Sequence, residues 1–182
     1  MKKFTTALLA TAVLSSGVAA TEVGFYAGGG LAFEAVPKKD SSLNDWKMGM
    51  AVVLRGGMTL DAVLEGFAAE VELTKSVIDP KAYIGHGSRD NINVTTLATY
   101  AVYRIPVTNE IYVKPRFGII FPNLGGEEYV GTSTGVVNSR DVTFSSGIGA
   151  GFTVMEHFDV YVDYTVIGES ITNYAAGVEY HF

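Results

Sequence analysis

Residues 46–55 read WKMGMAVVLR, and this stretch decides the fold because its side chains alternate strictly in character. Every second residue from Trp46 onward is large and apolar, whereas the residues between them include Lys47 and Arg55 and are otherwise small or aliphatic. Successive side chains of a β-strand point to opposite faces, so both charges fall on one face and the other face is continuously apolar. The stretch is therefore predicted to be a strand that separates an apolar environment from a polar one.

The same alternation recurs in seven further segments of the chain. One of them places Glu70 and Glu72 on a single face, opposite apolar side chains. Another places Lys114 and Arg116 together in the same way. The pattern predicts one strand for each segment. The eight predicted strands are residues 23–34, 46–55, 67–74, 92–105, 111–121, 143–154, 159–166 and 173–182.

Two features of these strands do not follow the simple pattern. Pro115 lies in the apolar row of the fifth strand, although proline cannot donate to a ladder and normally avoids a paired strand. The fourth segment has two rows of similar character, so the sequence leaves its phase open. One candidate outer row is Leu97, Thr99, Ala101, Tyr103 and Ile105, and the other is Val94, Thr96, Ala98, Tyr100 and Val102.

The composition excludes several classes of protein. The 182 residues are 48% hydrophobic and 18% charged, with a mean hydropathy of +0.24, which excludes a disordered chain. The formal net charge is −6, so the chain lacks the basic surface that nucleic-acid binding requires. Because there is no cysteine, disulfides, thiolate nucleophiles and cysteine metal sites are also excluded.

The first twenty residues have the three-part pattern of a cleaved secretory signal peptide. Two lysines form a positive start, residues 7–14 form a short apolar run, and Val18-Ala19-Ala20 supplies the small residues that a signal peptidase requires. The apolar run is less than half of the roughly twenty residues that a membrane-spanning helix needs. We therefore expect residues 1–20 to be removed and residues 21–182 to form the mature domain.

The predicted fold class is all-β: an eight-stranded antiparallel up-and-down transmembrane β-barrel. Barrel strands alternate between lipid-facing and lumen-facing side chains, and their number is even. The connections after strands one, three and five are long, whereas those after strands two, four and six are shorter. The three long connections are residues 36–45, 75–91 and 122–141. A soluble β-sandwich fits less well, because one face of these strands is almost purely apolar and the other mixes charges with glycine, alanine and tyrosine.

The last strand carries a resemblance to a known family. It reads Tyr174-x-Ala176-x-Val178-x-Tyr180-x-Phe182 and resembles the terminal strand of bacterial outer-membrane proteins. Together with the glycine-rich segments 24–30 and 147–152 and the signal peptide, it makes residues 21–182 similar to the small porin-like barrels of the OmpA/OmpX superfamily. The resemblance implies a monomer in a Gram-negative outer membrane, without a periplasmic cell-wall-binding domain of the OmpA type. It also implies an assembly signal formed by Tyr174, Val178, Tyr180 and Phe182.

The charged residues of the lumen face are the candidate functional residues. An eight-stranded barrel has an interior just wide enough for side chains to fill. Five charges reach similar heights in the predicted lumen, and a charge left alone there would be strongly destabilising. We therefore expect these five residues to pair with one another: Arg55, Glu70, Glu72, Lys114 and Arg116.

A bare stretch of the predicted lumen wall permits a second interpretation. The sixth strand presents only Gly147, Gly149 and Gly151 over this stretch. A gated ion path would use the free space, whereas Tyr161 and Arg116 would fill it in a closed barrel. The narrow interior favours the closed barrel.

Three other motifs are weak candidates for chemistry. The motif His86-Gly87-Ser88 is similar to the His-x-Ser of outer-membrane lipid-A deacylases, but it lies in a predicted long loop. His157 and His181 are not spaced as metal ligands in the sequence. The glycine-rich segments are not followed by a helix, as phosphate-binding loops are. We predict no catalytic, cofactor-binding or metal-binding residues.

The sequence thus predicts an outer-membrane β-barrel protein, not an enzyme, with a structural or surface-interaction role and a side-chain-filled lumen. A narrow porin-like channel for ions or small solutes is the first alternative, and a lipid-A-modifying enzyme is the second. The expected partners are outer-membrane lipid and lipopolysaccharide, the barrel-assembly machinery, and an extracellular ligand or host surface. No nucleic acid and no cofactor is expected.

Overall fold

The computed structural model describes residues 23–35, 48–79, 81–84, 88–91, 93–125, 142–168 and 171–182. The predicted signal peptide and the predicted connection 36–45 lie outside these residues. Trp46 and Lys47, at the start of the second predicted strand, also lie outside them.

The described residues form eleven β-strands. They are β1 (Phe25–Ala35), β2 (Gly49–Thr59), β3 (Phe67–Ile78), β4 (Lys81–Ile84), β5 (Ser88–Asn91), β6 (Asn93–Tyr103), β7 (Ile105–Pro106), β8 (Ile111–Gly125), β9 (Thr143–Met155), β10 (Phe158–Ile167) and β11 (Ile171–His181). No helix in this part of the chain is long and apolar enough to span a membrane.

Eight of these strands form a closed antiparallel barrel. They pair in the order β6, β3, β2, β1, β11, β10, β9 and β8, and β8 pairs with β6 to close the ring. The first and last strands pair from Tyr26 opposite His181 to Ala35 opposite Thr172. The predicted fold class is therefore confirmed, and each wall strand has a partner on both sides.

The two faces of the wall separate as the alternation predicts. On β2, Leu54 is 55% exposed on the outside, whereas the neighbouring Arg55 is 4% exposed in the lumen. On β3, Glu70 and Glu72 are buried and Val71 is exposed between them. Most of the large side chains exposed on the wall are apolar, so the outer surface suits the hydrocarbon core of a membrane.

The phase that the sequence left open is decided by the neighbours of β6. Tyr100 lies directly opposite Glu70 in the register between β3 and β6. Residues directly opposite in an antiparallel pair share a face, so Tyr100 must point into the lumen with Glu70. The row from Val94 to Val102 that contains Tyr100 is accordingly buried, and Leu97 and Tyr103 are exposed on the outside.

Pro115 coincides with a gap in the ladder beside β8. The pairing of β6 with β8 ends at Val102 opposite Arg116. It resumes, without a change of register, where Ile105 of β7 lies opposite Val113. Proline has no N–H to donate, so the barrel tolerates Pro115 by leaving this short stretch unpaired.

The two ends of the barrel differ. One end, here called the turn end, holds the short connections β2–β3, β6–β8 and β9–β10, together with the start of β1 and the end of β11. The β2–β3 turn is closed by Gly66, whose N–H donates to Asp61 Oδ1 at 2.8 Å and whose φ of +81° suits glycine. The opposite end, the loop end, holds the other connections.

The predicted connections 75–91 and 122–141 are partly wrong. β3 continues to Ile78, β8 continues to Gly125, and the short strands β4 and β5 pair with each other beyond β3. The alternation in fact extends past residue 74, because Ser76 is buried and Lys75 is exposed. An exposed charge on the outer face, such as Lys75, is therefore compatible with a wall strand of this barrel.

Candidate functional site: the charged lumen

Arg55 lies at the centre of the lumen and contacts three carboxylates. Its guanidinium donates to Asp163 at 2.6 Å, to Glu72 at 2.9 Å and to Glu179 at 3.1 Å. These partners come from β10, β3 and β11, so one side chain on β2 joins strands across the barrel. Such charge-assisted hydrogen bonds are the strong class and fix the geometry of the groups that they join.

Arg116 on β8 forms a second hub beside Arg55. It donates to Glu72 at 2.8 Å and to Asp163 at 3.1 Å, and its Nη2 lies 3.3 Å from a carboxylate oxygen of Glu70. The two guanidinium groups thus share Glu72 and Asp163. Sharing of carboxylates between two arginines links the pairs into one network.

Lys114 extends the network toward the turn end. Its Nζ lies 2.9 Å from Glu179 and 3.6 Å from Glu70, and the residue is fully buried. The five residues singled out from the sequence, Arg55, Glu70, Glu72, Lys114 and Arg116, therefore lie together in the lumen. Lys114 does not pair with Glu72.

Two members of the network were missed by sequence reasoning. Asp163 and Glu179 lie in the last two predicted strands, but nothing in the sequence relates their heights to those of Arg55 and Arg116. The strand registers supply this information: Asp163 lies opposite Gly149, which lies opposite Lys114, and Glu179 lies opposite Gly28. Only the barrel closure brings β10 and β11 round to face β2 and β3.

A second polar cluster lies at the turn end, around Asp159. Its Oδ2 accepts hydrogen bonds from Arg104 at 3.1 Å and from Tyr112 at 3.0 Å, and it lies 3.0 Å from His181 Nε2. Its other oxygen accepts from Thr153 at 2.8 Å. Arg104 itself comes from the segment between β6 and β7, next to the gap at Pro115.

This cluster brings His181 closer to carboxylates than its sequence spacing suggested. The possible ligand atoms of Asp159, Glu179 and His181 lie within 4.8 Å of one another. However, Arg104 also donates to Glu179 at 2.8 Å, so a guanidinium already occupies the position between the two carboxylates. The arrangement is that of an ion-pair cluster.

Tyrosine rings occupy the space between the charges. The guanidinium of Arg55 lies 3.8 Å from the centre of the Tyr161 ring, and that of Arg116 lies 3.7 Å from the centre of the Tyr100 ring. Tyr26 donates its hydroxyl hydrogen to Glu70 at 3.0 Å. Rings stacked on arginines fill volume and favour the charged state at the same time.

The space beside the glycines of β9 is filled, but by other side chains than expected. A Cβ at Gly151 would collide with the ring of Tyr112, and one at Gly149 would collide with the carboxylate of Asp163. The expectation that Tyr161 and Arg116 fill this row is wrong. Tyr161 instead places its hydroxyl group beside glycines of β1 and β11.

The remaining sequence candidates lie away from the lumen or outside the described residues. His86 and Gly87 are outside the described residues, and His157 is exposed in the β9–β10 turn. The four side chains of the predicted assembly signal are exposed on the outer surface, and their role in assembly stays a prediction. They are Tyr174, Val178, Tyr180 and Phe182.

The closed wall, the apolar outer face and the filled lumen define a small transmembrane β-barrel. The chain belongs to the family described as outer membrane protein beta-barrel domain, whose model matches residues 4–182. The resemblance that the last strand carried is thus confirmed, and the protein is one of the bacterial outer membrane. No match was found among curated protein sequences.

Solved structures of outer-membrane proteins share this fold. OprG from Pseudomonas aeruginosa is 13% identical with a TM-score of 0.58, covering 87% of this chain and 95% of that one. Neisserial surface protein A is 12% identical with a TM-score of 0.56, and the match covers 89% of this chain and 100% of that one. A third neighbour is Ail, the attachment invasion locus protein of Yersinia pestis, which was solved with the heparin analogue sucrose octasulfate. It is 13% identical with a TM-score of 0.55, and the match covers 89% of this chain and 100% of that one.

Proposed function

We propose that this protein is a closed outer-membrane barrel that has a structural or surface-interaction role and does not conduct. The observation that carries the proposal is the network of Arg55, Arg116 and Lys114 with their carboxylates, which joins opposite sides of the lumen. An open pore would need these groups to face water, whereas Lys114 and Arg116 are almost completely buried. A rigid, filled interior suits a barrel that anchors its loop end at the cell surface.

The alternative is a narrow channel for ions or small solutes, which would use the same charged lumen as its path. The distinguishing experiment is planar-bilayer recording on protein refolded from denaturant. We expect no steady conductance from the wild type. The double variant Arg55→Ser and Arg116→Ser, which removes both hubs of the network, should produce conductance steps. Steady wild-type conductance would instead support the channel.

A lipid-A-modifying enzyme is the third candidate; of its motif, His86-Gly87-Ser88, the first two residues lie outside the described residues and Ser88 begins β5. Mass analysis of lipid A from cells with and without the protein tests it. We expect identical lipid A in both, and a mass difference abolished by Ser88→Ala would establish the enzyme.

A surface-interaction role predicts a ligand at the loop end. The neighbour Ail was solved with a heparin analogue, and heparin is therefore a reasonable first probe, although the likeness between the two chains is one of fold.

We further propose that residues 1–20 are a cleaved signal peptide and that lipopolysaccharide and the assembly machinery are partners in the membrane. N-terminal sequencing of the mature protein should begin at Thr21.

A further inference from the structure

We propose that the loop end of the lumen holds a hard cation at a site formed by Glu34, Ser76 and Asn173. This site is separate from the charged network at the centre of the barrel and does not depend on whether the barrel conducts. All three side chains lie on the lumen face, on β1, β3 and β11.

Glu34 differs from the other lumen carboxylates in its partners. It is 1% exposed, and its only hydrogen-bond partner among the described side chains is Ser76, which donates to Oε2 at 2.7 Å. The other buried carboxylates of the described lumen each pair with a lysine or arginine; they are Glu70, Glu72, Asp159, Asp163 and Glu179. A buried carboxylate without a cation is costly, and Glu34 has no lysine or arginine partner among the described residues, so it is a candidate for binding a cation.

Asn173 supplies an independent indication of a ligand. It is 5% exposed, and its Oδ1 is buried without a hydrogen-bond donor. It lies directly opposite Glu34 in the pairing of β1 with β11, which places the two Cβ atoms about 4.5 to 5.5 Å apart on the same face. An amide oxygen without a donor, beside a carboxylate that has no cationic partner among the described residues, offers two oxygen ligands to a cation.

The neighbouring strand β2 places no large side chain at this site. β2 contributes Gly49, opposite Glu34, and Ala51, opposite Ser76, so no side chain of β2 larger than a methyl group separates Glu34 from Ser76. Asp79, close beyond Ser76, adds negative charge near enough to act on Glu34.

The donor set determines the class of cation. Carboxylate, amide and hydroxyl oxygens suit hard cations such as Ca²⁺ and Mg²⁺, and the three residues offer neither sulfur nor imidazole. We commit to Ca²⁺ as the probe, because it tolerates irregular oxygen coordination better than Mg²⁺ does.

The first test measures Ca²⁺ binding by equilibrium dialysis. The protein is refolded from inclusion bodies into a non-ionic detergent, so that no lipopolysaccharide contributes bound Ca²⁺. We expect saturable wild-type binding that Glu34→Gln abolishes. The matched control is Glu65→Gln, the same change at an exposed residue of the β2–β3 turn, which should leave binding intact. No binding by the wild type, or unchanged binding by folded Glu34→Gln, would overturn the proposal.

The second test adds a ligand instead of removing one. Asn173→Asp places a second carboxylate beside Glu34, and Ca²⁺ affinity depends on the number of charged ligands, so affinity should rise about tenfold or more. The unfolding temperature of this variant should rise on replacing EDTA with Ca²⁺. If Asn173 instead serves to donate its amide hydrogens to Glu34, the variant will be destabilised and Ca²⁺ will not restore it, which refutes the cation site.

Discussion

At the scale of single residues, the lumen charges are not balanced one for one. The ion pairs described here join four cations to five carboxylates, in addition to the separate Glu34. The cations are Arg55, Arg104, Lys114 and Arg116, and the carboxylates are Glu70, Glu72, Asp159, Asp163 and Glu179. Each cation therefore stabilises more than one acid, and loss of a cation should cost more than loss of a single acid.

Arg116→Gln should lower the free energy of unfolding by about 3 to 5 kcal/mol, because it leaves carboxylates uncompensated in the lumen. Glu72→Gln should cost less, since Arg55 and Arg116 both keep Asp163 as a partner. The measurement is equilibrium unfolding in denaturant, in detergent micelles, for each variant. Equal losses of unfolding free energy for the two variants would contradict the inference that losing a cation costs more than losing a single carboxylate.

A double-mutant cycle distinguishes a direct contact between two lumen residues from the long-range electrostatic effect of all the lumen charges. Arg116 contacts Glu72, so combining Arg116→Gln with Glu72→Gln should be strongly non-additive. Lys114 does not pair with Glu72, so Lys114→Gln with Glu72→Gln is the matched control and should be closer to additive. A larger coupling in the control pair would mean that the lumen charges act as a diffuse field.

At the scale of elements, adjacent strands fit because glycine on one strand accommodates a ring from the next. A Cβ at Gly57 of β2 would collide with the ring of Tyr26 on β1, as one at Gly151 of β9 would with Tyr112 on β8. The adjacent Gly56 faces the other way, and a Cβ there would meet only the Tyr26 carbonyl oxygen at 3.7 Å. The rings themselves hold hydrogen bonds to Glu70 and Asp159.

Gly57→Ala should therefore destabilise the barrel by about 1 to 3 kcal/mol, the typical cost of overpacking. Displacing the Tyr26 ring would also stretch its hydrogen bond to Glu70. Gly56→Ala, one residue away on the same strand, should be close to neutral in the same unfolding experiment. If the two alanine variants are equally unstable, the loss comes from the backbone of β2 and not from the ring.

At the scale of the whole molecule, closure is what makes the strands a stable unit. The N–H of Phe182 donates to the carbonyl oxygen of Phe25 at 2.9 Å, so the ladder between the first and last strands continues to the end of the chain. Within a bilayer only a closed barrel or a helix satisfies all backbone groups internally. An edge strand open to solvent or detergent is thereby avoided.

The folded barrel should resist sodium dodecyl sulfate at room temperature and migrate differently from the boiled protein on a gel. Detergent has no strand edge at which to begin unfolding, and heat is needed to open the closed ladder. The control is the same sample after denaturation in guanidinium, which should migrate with the boiled form. Identical mobility of all three samples would argue against a closed barrel.

The sequence by itself determined the strand alternation, the number of wall strands and the lumen-facing side of the five charges singled out. These properties follow from a local rule, the period of two, which needs no knowledge of distant residues. Three features escaped it: the phase of β6, the extension of β3 past Thr74 and the extension of β8 past Phe121. Strand pairing resolved all three.

Tertiary structure alone decided which further charges join the five that the sequence singled out. Asp163 and Glu179 join Arg55 although more than one hundred residues of chain separate them, because barrel closure sets β10 and β11 opposite β2. The same closure places His181 beside Asp159, and Asn173 beside Glu34, which are pairings that no spacing in the sequence reveals. Which lumen side chains lie at the same height depends on the registers of all eight strand pairs together. These registers are properties of the closed ring and not of any single strand.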